Sequence, residues 1–460
     1  MADVRPFRGI RFNSARVNVS TALCPPFDVI SPAEQLAYHA QDPHNVIRLE
    51  LGLGNADPEA ADNWYSRAAQ TLHTWLDEGV LVQDGEPAFY LYEHRFTYGG
   101  AERVLHGLLV AGRLHDWAEC VVLPHEAVRK GPIQSRLGLL HATQTNVSPL
   151  WLVYDDPQHE VTALLTSAWH AAPLAEAAVG GERHVLRAVR DADTLRAVVA
   201  AFAGRRLYVA DGHHRYHTAQ RYRDEQRHLT TAAGRTPDPD AGYEFALMLL
   251  VAFDDPGMLL LPTHRLVRSL DAPLDEVRGR LARWFTLSPL ADLRDEDAVP
   301  DAAVVELVLA AAGETGPAFA LLERGGAWLL RPRADVNWSS LSEHLPADRS
   351  AAWRGLDVVL LDTFAIRDAC GISAEAEAAH ADATSHGAAD RLTYVSGSAA
   401  AIRAVRTGEA QQAYLLNPTR IEQVRAVADA GDTMPPKSTF FAPKPLTGLV
   451  LHSLEGHRTL

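Results

Sequence analysis

The 460-residue chain is poor in cysteine, in long apolar runs and in clustered positive charge. Cys24, Cys120 and Cys370 are its only cysteines and stand far apart. That spacing excludes a disulfide-stapled scaffold and a CxxC zinc motif, and it fits a reducing compartment. The longest apolar run, Phe245 to Phe253, is too short to cross a bilayer and reads as a buried strand. The opening Met-Ala-Asp-Val-Arg-Pro-Phe-Arg lacks the apolar core of a secretory leader. A cytoplasmic protein with no membrane partner is expected. The formal net charge is −15 and no lysine/arginine block offsets it, so nucleic acid is a poor main partner. Internal repeats and low-complexity tracts are absent. What is present is ample core material, 47% hydrophobic against 22% charged residues, over a length that suits two lobes.

Helix and strand signals alternate along the chain. Ser31-Pro-Ala-Glu34 reads as a capping box with proline at the first helical position. Asp57-Pro58 opens a helix whose Trp64, Ala68, Leu72, Trp75 and Leu76 share one face, with Gly79 as its stop. Phe89 to Tyr98 and Val104 to Val110 flank Gly99-Gly100 as a β-hairpin. Strands follow at 150–154 and 184–189, a helix at 194–202, a strand at 207–210, a long loop at 230–242, and strands at 245–253 and 259–263. Beyond 268 the pattern predicts a helix at 275–285, sheet at 304–310, 318–322 and 328–331, and a helix at 355–370. Strands at 392–395 and 413–416 alternate with helices at 400–407 and 419–430, and the alanine-rich 374–389 reads as helix or surface loop. The expected fold class is therefore α/β with a mixed sheet. Its expected parts are a phosphate-binding lobe over 1–268, a second α/β lobe over 269–433, and a tail over 434–460 that returns to the first lobe.

The densest chemistry is Asp211-Gly212-His213-His214-Arg215, placed where the apolar Leu207-Tyr-Val-Ala run meets a polar helix start. The first N–H groups of a helix lack intrahelical partners and carry the positive end of its dipole, which suits a phosphate. Gly212 permits a sharp turn and close backbone approach. Arg215 can grip phosphate oxygens through its planar fork, and His213 or His214 can bind phosphate or metal or move protons. The plain alternative is a capped helix with surface histidines. Neighbouring histidines on a helix diverge by roughly 100°, so both rarely reach one ion.

Ala-Asp-Gly-His-His-Arg resembles the signature of a large uncharacterised prokaryotic family, a domain of unknown function distantly similar to the ParB/sulfiredoxin superfamily and its free serine kinases. Cys24-Pro-Pro-Phe-Asp28-Val-Ile, Pro124-His125-Glu126, Leu261-Pro-Thr-His-Arg265 and Met434-Pro-Pro-Lys-Ser-Thr-Phe-Phe441 agree with that family along nearly the whole chain. The resemblance implies a ParB/serine-kinase-like core with an elaborated N-terminal region. By the same resemblance Glu126 is the general base that accepts a substrate hydroxyl's proton, and His125 helps position phosphate. Glu126 and Asp211 stand 85 residues apart, more than a compact kinase of this kind needs, so an insertion is expected between them.

Four further groups complete the candidate site. Lys437-Ser438-Thr439 follows two prolines and offers one ammonium and two hydroxyls, without the glycines of a Walker loop. Thr263-His264-Arg265 sits at a strand end, as a carboxylate-binding set or a structural ion pair. Asp28 is held at a turn, to orient a histidine, ligate magnesium or bond its own backbone. Arg129-Lys130-Gly131 either faces a phosphate or is a solvated turn. The expected activity is transfer of a phosphoryl group from ATP or ADP, with CTP left open, to a small hydroxyl compound, free serine being the first acceptor. Mg²⁺ is expected mainly through the phosphates, with Asp211 as an additional ligand and no metal otherwise assigned. A nucleotide-sensing regulator and a metal-dependent phosphatase are the alternatives, and homo-oligomerisation stays open.

Overall fold

The computed structural model describes residues 1–57, 59–60, 62–126, 130–290, 301–336, 345–346, 348–373 and 391–455, with the side chains of 130–132 also left out. The fold is mixed α/β and forms two compact units with interleaved chain segments. Met1–Pro124, Val128–Leu259 and Pro443–Leu460 make the first, and His125–Ala127 with Leu260–Ala442 make the second.

The first unit is built on a nine-stranded sheet. Its path runs Val122–Leu123, Leu207–Asp211, Leu150–Tyr154, Phe245–Ala252, Ala101–Arg113, Phe89–Tyr98, Glu182–Val189 and Ala175–Val179, and Val4–Arg5 joins the long Ala101–Arg113 strand off that path. Leu207–Asp211 runs parallel to Val122–Leu123 and antiparallel to Leu150–Tyr154. The Phe245–Ala252 strand is buried along all but its last residue, which is why it shows no polar alternation. One face packs Val122, Leu152, Val209, Met248 and Leu250 against Val161, Val198 and Phe202. The hairpin turns through Gly99 and Gly100, both left-handed at φ 59° and 79°, the conformation that a twisted two-residue turn requires.

Of the two expected helix openings here, one is where the sequence puts it and one is not. Ser31 and Glu34 form the reciprocal box at the start of Pro32–Gln41. The next long helix, Trp64–Asp77, opens later than the expected Asp57-Pro58, because the Asn63 side chain caps it by accepting from the Ser66 N–H, and it buries Trp64, Ala68, Leu72 and Trp75; Pro58 itself lies outside the described residues. The expected loop at 230–242 is shorter, because the His213–Ala232 helix runs into it.

The second unit carries a six-stranded antiparallel sheet in the order Phe285–Pro289, Gly326–Pro332, Phe319–Glu323, Gln412–Leu416, His264–Val267 and Leu392–Val395. Residues 304–310, expected as sheet, are instead the middle of the Ala302–Gly313 helix. Asp301 caps it by accepting from the Ala303 N–H at 2.8 Å. A nearly unbroken apolar run carries no period to separate helix from strand, and alanine together with the cap decides for helix. The expected helix at 275–285 stops at Leu281, and Phe285 opens a strand. The expected helix at 355–370 is helical but widens over Leu361–Ala369 into a π-helix, with the Cys370 N–H donating to the Ala365 carbonyl five residues back. The alanine-rich 374–389 lies outside the described residues.

The helix over 302–313 separates two outcomes that a strand would merge. Val305 and Leu309 are buried while Leu307, which a strand would place on their face, is 70% exposed. Leu307→Asp should change stability by no more than ~0.5 kcal/mol, the usual range for a surface position. Leu309→Asp should cost several-fold more by burying an unpaired charge, and urea unfolding of the two variants checks the difference.

Candidate functional site

The chemistry of the first unit centres on the end of the Leu207–Asp211 strand. Its pairing with Leu150–Tyr154 shifts register between Val209 and Asp211, an irregularity of the kind that re-aims a side chain. Gly212 follows at φ 93°, ψ 28°, with no side chain capping the helix that starts at His213. A β-carbon there would also meet the Arg215 guanidinium at 3.2 Å. Glycine is thus required by conformation and by space.

Asp211 is buried, and both of its oxygens are taken. Oδ2 accepts from Arg215 Nη2 at 2.6 Å, and Oδ1 is ion-paired with the Lys444 ammonium. Burial pushes this carboxyl up, but Lys444 and Arg215 outweigh it and bring its pKa down to about 2. Arg215 Nη1 donates to the Pro149 carbonyl, which fixes the fork over the turn.

A second buried cation stands nearby. Arg136 donates to the Glu50 carbonyl at 2.7 Å, and its guanidinium lies 3.5 Å from the Glu50 carboxylate and 4.1 Å from the Phe27 ring centre. Burial lowers its pKa, Arg215 adding to that effect, while Glu50, Tyr65 and Asp28 oppose it. Asp28, on the short Phe27–Val29 turn, therefore acts on the same charge group. Glu50, Arg136 and Arg215 line one cavity with Ser148 and Thr218. Arg136, Arg215 and Lys444 face the buried carboxylates Asp211 and Glu50, a local excess of one positive charge beside an uncapped helix start. His213 is buried at the same helix start and its charge helps to keep Asp211 ionised. His214 accepts the Thr218 hydroxyl through its carbonyl.

The second unit holds the other motifs. The Met434 N–H donates to the His125 carbonyl at 2.7 Å, and Glu126 and Met434 form an isolated parallel bridge. Glu126 Oε1 accepts from the Lys437 N–H at 3.3 Å, and His125 Nε2 lies 2.8 Å from Thr439 Oγ1. Lys437 is exposed and left-handed at φ 59°, a conformation that costs a non-glycine residue of order 1 kcal/mol or more and clusters at functional loops. Ser438 is buried and donates to the Pro435 carbonyl at 2.6 Å. The loop 434–439 and the Pro-His-Glu motif therefore belong to one constellation.

Thr263-His264-Arg265 is spent on the frame of its sheet. Arg265 is fully buried in a two-pronged bond with Asp362, both arms 2.9 Å, and also donates to the Thr263 and Lys437 carbonyls. His264 lies 3.1 Å from the Ser398 hydroxyl and accepts from the Leu416 N–H; burial, then Arg265, pushes its pKa down to about 4. Of the two alternatives the sequence left open, this is the geometry of the structural ion pair. Arg129 lies outside the described residues, and the Lys130–Thr143 helix begins just after it.

Lys444, Arg136, Glu50 and Asp362 were not legible as site residues. One signal pointed at Lys444: the chain has only three lysines, Lys130, Lys437 and Lys444, against forty arginines. A lysine retained in so arginine-rich a chain marks a position where a compact ammonium differs from a fork.

A family model described as "Protein of unknown function (DUF1015)" matches residues 4–359. No curated protein matches the chain. Among solved structures it is similar to one titled "Free serine kinase in complex with AMP", at 12% identity and TM-score 0.31, over 70% of this chain and 84% of that one. A conserved hypothetical protein from Pyrococcus furiosus matches at 12% identity and TM-score 0.31, over 72% and 90%. SbnI from Staphylococcus aureus, truncated at its C-terminus, matches at 10% identity and TM-score 0.29, over 71% and 82%. Likeness at this level assigns no activity, which rests with the chain's own residues.

The buried Asp211 pairs make two measurable demands. Removing one partner of a buried charge pair costs about 3–5 kcal/mol. Lys444→Met should therefore lower the unfolding free energy by about 3 kcal/mol, and the Asp211→Asn/Lys444→Met double variant should lose much less than the sum of the single losses. Because the folded pKa of Asp211 lies below its unfolded value of about 3.9, its stabilisation is full above ~pH 4 and fades as pH falls towards 2. Urea unfolding between pH 5 and 2.5 should show that slope in the wild type and lose it in Asp211→Asn.

Proposed function

The chain belongs to the DUF1015 family, whose description carries no activity, and from the residues of its site we propose that it is a phosphotransferase acting on a small hydroxyl compound. The observation that carries this proposal is the uncapped start of the His213–Ala232 helix at Gly212, with Lys444 and Arg215 gathered on the one carboxylate beside it. Two cations, the positive end of a helix and a turn without a β-carbon make a seat for an anion of phosphate type.

A bound adenine nucleotide, ATP or ADP, supplies the phosphoryl group. Arg215 and Lys444 orient its phosphates, and Arg136 adds positive potential in the wall of the cavity it lines with Arg215. Asp211 does not suit a magnesium ligand in this arrangement, since each of its oxygens already accepts a cation; Mg²⁺ fits better as an ion carried by the phosphates. Glu126 accepts the acceptor's hydroxyl proton, and the exposed Lys437 beside it answers an acceptor carboxylate, which makes free serine the first compound to try. Thr439 keeps His125 in place, and through it the strand end that presents Glu126.

One observation favours a second function, that of a nucleotide-responsive regulator. Arg215 and Lys444 are both engaged by Asp211, so an arriving phosphate competes with that carboxylate for the ammonium that residues 443–455 deliver.

Phosphorus NMR of the protein with Mg²⁺ and ATP, ADP or CTP, with and without L-serine, tests the proposal. A phosphomonoester signal that appears only with serine is expected. Glu126→Gln should reduce its rate by at least ~100-fold, the usual scale of a general base, while nucleotide binding measured by calorimetry stays intact. Binding without product from any hydroxyl compound would support the regulator, and no nucleotide binding at all would end both.

A further inference from the structure

A separate cluster lies on the large sheet of the first unit, between the neighbouring antiparallel strands Phe89–Tyr98 and Glu182–Val189. His94 and His184 stand directly opposite each other in the register. Glu182 precedes His184 by two residues and so shares its face. His94 Nε2 lies 2.6 Å from Glu182 Oε2, the two imidazole centres are 4.1 Å apart, and one donor atom from each of the three residues lies within 4.8 Å of the others.

Two features set the cluster apart from a packed pair of histidines. His184 Nε2 is buried without a hydrogen-bond partner. Orphaned polar atoms in a native interior ask for a missing water or ion. Tyr92, fully buried two residues before His94, places its hydroxyl 2.8 Å from His184 Nδ1. A hydrogen bond at one ring nitrogen fixes the ring and leaves the other nitrogen to bind, the usual support of a metal-bound histidine.

We propose that His94, His184 and Glu182 bind a divalent ion of the zinc class. Two imidazoles and one carboxylate suit Zn²⁺ and its first-row neighbours, whereas Ca²⁺ and Mg²⁺ prefer oxygen-only shells. The ion takes the place of the proton between His94 and Glu182, and that proton leaves to solvent. Its open position faces Glu182, whose side chain is 39% exposed while that of His94 is 2% exposed, so water completes the shell from that side. The ion clips the two strands together.

The test uses the full chain, stripped with chelator and titrated with Zn²⁺ against a chromophoric indicator, then with Co²⁺ followed by its visible absorption. One tight equivalent is expected, together with Co²⁺ bands of a low-coordinate site and a rise in Tm on loading. Because the chain has 21 histidines, the variants decide the location. Glu182→Gln and His184→Gln, each checked by circular dichroism, should weaken binding by on the order of 100-fold, the upper end of what even outer partners contribute. If His184→Gln does not fold, the half-exposed Glu182→Gln decides alone. Absence of stoichiometric binding in the wild type would leave an ordinary His–Glu pair and overturn the proposal. So would wild-type affinity in the folded variants.

Discussion

A carboxylate buried as deeply as Asp211 stays ionised only where cations are brought to it, and this chain brings two from different distances. Arg215 comes from the next helical turn, four residues on, so the strand and the helix it feeds are tied together locally. Lys444 comes from 233 residues further along. The segment that delivers it is bonded into the first unit repeatedly: Thr447 to Cys24, Leu451 to Ile10, His452 to Asn146 and Leu454 to Gln144. Those backbone bonds place the ammonium, and the ammonium keeps Asp211 charged. An ionised Asp211 in turn holds Arg215 over Gly212. Loss of the tail would leave a charge in the interior with half its compensation.

Local chemistry was legible in the sequence, and long-range compensation was not. The capping box at Ser31, the Gly99-Gly100 hairpin and the strand ending at Asp211 each depend on residues within a few positions, and the structure has them where the pattern puts them. The helix at Ala302–Gly313 was misread because an apolar run of that length carries no period, and its cap, Asp301, is a single residue. Lys444 was invisible for another reason. Nothing near it in sequence is charged oppositely, and the partner that gives it meaning is a strand end in another part of the chain. The scarcity of lysine was the one available clue.

Both motifs of the second unit illustrate the same limit. Pro-His-Glu and Met-Pro-Pro-Lys-Ser-Thr each look like site chemistry alone, but the structure makes them one object, since the loop 434–439 donates its Met434 and Lys437 N–H groups to the His125 carbonyl and the Glu126 carboxylate. By contrast, Thr263-His264-Arg265 has the same composition of imidazole and cation yet is consumed by Asp362, Ser398 and the backbone. Residue type does not separate these cases. The difference is whether the polar atoms are already satisfied by the frame.

That criterion also ranks the charges of the first unit. Arg136 is stacked on Phe27 and bonded to Glu50, so it is a fixed source of positive potential rather than a mobile hand. Arg215 and Lys444 share one carboxylate, and two cations on one anion leave a net positive charge whatever the bond lengths. Taking a third charge group out of water is costly unless it is anionic. The cavity that Arg136 and Arg215 line with Glu50 therefore has two cations against one carboxylate in its wall. Under the proposed function, an incoming phosphate would gain most by competing with Asp211 for both partners at once, because only a multidentate anion can replace both bonds together. Mono-anions such as chloride meet the same potential with a single contact. Under the proposed function, that arrangement would favour polyphosphate over simple ions through geometry as well as through charge.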